Sequence, residues 1–122
     1  MSTRKAAGVL SDDLIARLLT FRTERDWEQF HTPKNLAVAI SVEAGELLEQ
    51  FQWTVDTRPA RPTDDGLARI GDEIADVAIL LTYLAHDLGI DIDVAVNAKL
   101  ARNAQRYPVD KSRGTAVKYD RL

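Results

Sequence analysis

Two stretches place acids where helical periodicity asks for apolar side chains, and this constrains the chain more than any other feature. In "SVEAGELLEQFQW" (41–53) and the residues before it, Leu36, Ile40, Leu47 and Phe51 fall within about 60° on a helical wheel, and Glu43 lies almost in line with Leu36 at the edge of that arc. Glu46 sits about 60° to one side, with Gln50 and Ala39, while Glu49 points well away. A later stretch repeats the layout. Ile70, Val77, Leu80, Leu84 and Leu88 make an apolar face, Glu73 lies within it, and Asp76 flanks it on the same side as Glu46 flanks Glu43. An unpartnered ionised carboxylate in a core is costly. One such acid is readily explained by a buried arginine or a helix N-terminus; two on neighbouring helices bring four carboxylates together, which repel unless protonated or neutralised.

Few cationic residues fall on either apolar face, so a divalent cation is the simplest compensation. Oxygen-only ligands, with no cysteine in the chain, favour Mg²⁺ or Mn²⁺ over zinc. A di-iron carboxylate site needs Glu-x-x-His on two helices, and neither His31 nor His86 lies three residues after a glutamate.

Four segments carry helical spacing. The first spans Ser11 to about Glu28, with Leu14, Leu18 and Phe21 in register and acids in its first turn. Thr32 and Pro33 then suit a helix start, and the second helix runs to about Gln52. The third spans about Asp65 to Leu88 and stops at Gly89; the fourth runs from Asp91 or Asp93 to before Pro108. No segment reads as a strand. Short connections at 29–32 and 89–92 favour antiparallel neighbours, so the expected fold is all-α: an antiparallel four-helix bundle core assembled as a homo-oligomer, dimer or tetramer. The 122 residues suit one domain, with 1–10 and 108–122 expected as flexible tails. Gly45, roughly opposite Glu43, offers a face where a neighbouring helix can approach closely.

A net charge of −3 gives no basis for general nucleic-acid binding. No apolar run approaches a membrane span, and the first residues lack a signal-peptide core, so a cytoplasmic protein is expected. The C-terminal part is nevertheless basic. Lys99, Asn103 and Arg106 share one side of the fourth helix, either as a solvated basic end that suits the helix dipole or as a phosphate clamp.

The E-x-x-E and E-x-x-D motifs, with "RDWEQFHTPKNLA", "GELLEQFQW", "DEIADV", "RYP" and the terminal "KYDRL", resemble the all-α nucleoside triphosphate pyrophosphatases, the MazG-like group, in their dCTP pyrophosphatase branch. The resemblance runs from about Leu14 to the C-terminus. It implies hydrolysis of a dNTP, dCTP or a modified dCTP, to the monophosphate and pyrophosphate, as nucleotide-pool sanitation. It implies that Glu43, Glu46, Glu73 and Asp76 hold Mg²⁺ (Mn²⁺ as a substitute), with Glu46 or Glu43 orienting the attacking water. Lys99 and Asn103, then Arg106, Lys118 and Tyr119, would contact phosphates or sugar; Trp27, His31, Asn35 and Trp53 would receive the base. Where the resemblance leads one to expect a tyrosine against the deoxyribose, this chain has Leu80, with Tyr83 a turn later. Alternative readings are a broad housekeeping NTP pyrophosphatase and a non-catalytic, nucleotide-binding or structural helical oligomer.

Overall fold

The structure, a computed structural model, describes residues 10–52 and 61–122. These residues are helical, with no strand among them, as the sequence leads one to expect. Helix α1 (Asp12–Glu24) starts where the Ser11 hydroxyl accepts the Leu14 N–H at 3.2 Å. It ends four residues earlier than expected. The Trp27 N–H turns back to the Arg22 carbonyl, and Asp26 takes a left-handed φ of 52°. A 3-10 turn (Glu28–Phe30) follows.

Helix α2 (Pro33–Glu49) begins with Pro33 in its first turn and Thr32 as cap, accepting the Asn35 N–H at 3.1 Å. Helix α3 (Asp64–Asp87) starts at Thr63, with Asp64 and Asp65 favourably placed against the helix dipole. It stops at Gly89, whose φ of 68° suits a residue without a Cβ. Helix α4 (Ile92–Arg106) is capped by Asp91. The segment after it carries α5 (Val109–Ser112) and a 3-10 turn (Tyr119–Arg121).

Side-chain contacts fix how the helices run. Arg69 donates to Gln50 at 3.4 Å, Glu43 faces Glu73, and His31 meets Tyr83. Numbers on α2 fall as those on α3 rise, so the two helices are antiparallel. Tyr83 bonds to Leu18 and Arg22 to Asp87, so α1 runs in the same direction as α3 on its other flank. Leu36 and Tyr83 are buried between the helices, and Arg22 and Thr82 are buried polar residues. The Thr82 hydroxyl is satisfied by the Ala78 carbonyl at 2.7 Å.

Outside that centre much apolar surface is exposed. Phe51 and Leu88, on the expected apolar faces, lie at or just past helix ends and are 37% and 52% exposed. Val94, Val96 and Leu100 on α4 are exposed as well, so α4 does not close the bundle within one chain. Leu81, Leu84, Leu88, Ile90 and Ile92 line an open apolar groove of about 310 Å³.

Candidate active site

The antiparallel register of α2 and α3 brings the two anomalous acids together. Carboxylate oxygens of Glu43, Glu73 and Asp76 all lie within 4.8 Å of one another. Glu46, one turn beyond Glu43, acts electrostatically on both Glu43 and Glu73. Burial around them is partial, yet Glu43 Oε2 and Glu73 Oε2 are individually shielded from solvent and have no hydrogen-bond partner. Among the described residues no lysine or arginine forms an ion pair with the cluster.

The electrostatic result is a cluster that resists full ionisation. Glu43 is pushed up to about 7, first by its hydrogen bond with Glu46, then by desolvation and by the bond with Glu73. Glu73 is also raised, chiefly by desolvation, with the Glu46 and Asp76 charges adding to it. Orphaned, shielded oxygens in an all-carboxylate set are what a hard divalent cation requires, so the residues fit Mg²⁺ or Mn²⁺.

The cluster opens into a cavity of about 370 Å³ between α1, α2 and α3. Glu43 and Asp76 form one end of its lining; Phe21, Trp27, His31 and Tyr83 supply an aromatic wall, with Leu80 beside them. The rings form a chain. Phe21 meets Trp27 edge-on at 5.6 Å, Trp27 lies 6.4 Å from His31, and His31 lies 5.4 Å from Tyr83. His31 is held below its ordinary value, first by desolvation and then by the Arg22 charge. Its Nδ1 is shielded and has no partner.

Other expected site residues sit elsewhere. The Asn35 amide donates to the Phe30 carbonyl at 3.1 Å and closes the turn before α2; the residue does not line the cavity. Arg106 stacks on Tyr119 at 4.8 Å, Lys118 lies 6.0 Å from the same ring, and Tyr107 meets it edge-on. Neither this group nor Lys99 and Asn103 lines the cavity in the same chain. Trp53 lies outside the described residues. Phe21, assigned from spacing to the core, lines the cavity as well. Tyr83 is two turns beyond Asp76 on α3, a spacing that places both on one face and could have marked it.

The model of the MazG-like family matches residues 38–122, the segment that holds all four acids. The chain belongs to the MazG-like family. It is 49% identical over 105 residues to mouse dCTP pyrophosphatase 1, covering 84% of this chain and 61% of that protein. The human dCTP pyrophosphatase 1 is 41% identical over 104 residues, with the same shares covered. The chain thus spans less than two thirds of these curated relatives' length. Among solved structures, a pyrophosphatase from Archaeoglobus fulgidus is similar with a TM-score of 0.67 and 39% identity, over 80% of this chain and 91% of that one.

Proposed function

We propose that this MazG-like chain is a Mg²⁺-dependent nucleoside triphosphate pyrophosphohydrolase. Its substrate is a dNTP, dCTP or a modified dCTP, and its role is to clear such nucleotides from the pool. Water adds to the α-phosphorus, the bond to the bridging α–β oxygen breaks, and the products are the monophosphate and pyrophosphate. The observation that carries this reading is the convergence of Glu43, Glu73 and Asp76 at one end of an aromatic-lined cavity. The names of the relatives point the same way.

In this reading Glu43, Glu46, Glu73 and Asp76 hold the cation, which when bound offsets phosphate charge. Glu46, at the flank of the cluster, or Glu43 beside it accepts a proton from the attacking water. Trp27 and His31 receive the base, with Trp53 and Asn35 assigned to the same role by resemblance. Lys99, Asn103, Arg106, Lys118 and Tyr119 contact phosphate or sugar. They do not line the cavity of their own chain, which supports their coming from another copy. The exposed apolar residues of α4 support that assembly as a dimer or tetramer, since a lone chain would leave them in water.

Leu80 in the cavity lining supports a second reading, a broader NTP pyrophosphatase. It offers no polar group to a sugar, and the Tyr83 hydroxyl is already committed to Leu18. No helix of the described residues is long and apolar enough to cross a membrane, which is compatible with a cytoplasmic site of action.

A pyrophosphate-release screen over all NTPs and dNTPs, with and without Mg²⁺, tests the proposal. Mg²⁺-dependent release from dCTP in preference to CTP supports the narrow reading; equal release supports the broad one. No release from any nucleotide rejects both. Glu43→Gln abolishes turnover while the protein stays folded.

A further inference from the structure

Behind the aromatic wall lies a charged pair that none of the expected site residues explains. Arg22 on α1 is only 5% exposed, and its two terminal nitrogens each donate to a different oxygen of Asp87, both at 2.8 Å. Such two-pronged pairing fixes the guanidinium plane as well as its position. The plane stacks over the Tyr83 ring at 4.6 Å. The Tyr83 hydroxyl is tied to the Leu18 carbonyl at 2.7 Å, so both ends of that side chain are held from α1. Tyr83 in turn lies against His31, and His31 against Trp27. The Trp27 N–H bonds to the carbonyl of Arg22 itself at 3.1 Å, closing the circuit.

We propose that Arg22, clamped by Asp87, is a positioning residue for the aromatic wall, setting Tyr83 and through it His31 at the orientation in which the cavity receives a nucleobase. Arg22 does not line the cavity and so acts only through these neighbours. Its charge has a second effect on His31: it favours the neutral imidazole, against weaker opposing pulls from Asp87 and Glu28. A neutral ring presents one donor and one acceptor nitrogen, which suits the mixed edge of a base better than two donors.

This inference rests on the proposed nucleotide reading, but one readout does not depend on it. The test compares wild type, Arg22→Met and Arg22→Lys by steady-state pyrophosphate release from dCTP and by proton NMR titration of His31. Arg22→Met is expected to raise KM about fivefold or more with kcat within about twofold, because ligand placement and not the chemistry is lost. Its His31 titrates at higher pH than in wild type. Arg22→Lys keeps the charge and loses the fork, so it leaves the His31 midpoint low and lies between the other two in KM. A merely structural role would move both variants together.

A wild-type KM in both variants, or a drop in kcat at constant KM, overturns the proposal. So does an unmoved His31 midpoint in Arg22→Met. If Arg22→Met does not fold, the KM of Arg22→Lys decides: raised supports the proposal, unchanged overturns it. If wild type releases no pyrophosphate from any nucleotide, the enzyme reading fails, and the His31 titration still decides whether Arg22 governs the wall.

Discussion

Adding Mg²⁺ to the metal-free protein should release protons, in an amount fixed by the acid cluster. Glu43 is pushed up to about 7 by Glu46, desolvation and Glu73, so near neutrality it is partly protonated. A cation binds the carboxylate, so the proton must leave. Glu43's share of the release is about half a proton per ion at pH 7, about nine-tenths at pH 6 and about one-tenth at pH 8, with the raised Glu73 adding to it. Isothermal calorimetry in two buffers of different ionisation enthalpy measures this directly. Glu43→Gln should remove most of the release and weaken the binding. Equal release at pH 6 and pH 8, or release undiminished in Glu43→Gln, would mean that Glu43 does not carry the proton. The same shift fixes a stability trend. A carboxyl raised by folding contributes stability that is fully present below its unfolded value near 4.5 and is lost as pH rises through about 7. The metal-free protein therefore loses this contribution between those limits, and Mg²⁺ offsets the loss at the upper end by binding the ionised form.

Three further outcomes can be checked by urea unfolding at one fixed protein concentration. Asp87→Asn should cost about 2–3 kcal/mol at pH 7, below the usual range for a fully buried pair because Asp87 is 27% exposed. Arg22 holds Asp87 below its ordinary value, so this contribution is present above an unfolded value near 3.8 and is lost as pH falls through the folded one; at pH 3 the two proteins should differ less than at pH 7. Leu36→Ala, at 1% exposure, should cost about 3 kcal/mol through lost burial and the cavity left behind. Gly89→Ala should cost about 1 kcal/mol from its left-handed φ alone, since an added Cβ there would meet nothing within 4 Å.

The acids were legible in the sequence because a carboxylate in an apolar stripe is too costly to be casual, and the second stripe repeated it. The starts of α2 and α3 were legible for a local reason: Thr32 with Pro33, and the acids after Thr63, act within a single turn. The end of α1 was not, since the Trp27 N–H turning back to Arg22 competes with continued helix and leaves no periodic mark. Arg22 and Asp87 are far apart in sequence and each looks like an ordinary surface charge; only the parallel run of α1 and α3 joins them. Asn35 shows the limit of a wheel. Its angle pointed toward Glu46, but at the first turn of a helix its amide found the nearer Phe30 carbonyl.

Asp76 and Tyr83 stand two turns apart on one uninterrupted helix, about 10 Å along its axis. That helix acts as a ruler. A ligand held at one mark through a cation on the acids, and at the other by ring contact, would need an anionic group and a flat ring separated by about that span. Inserting a single residue between the marks would lengthen the ruler by only about 1.5 Å but would turn one mark about 100° from the other, so the span would survive and the alignment would not.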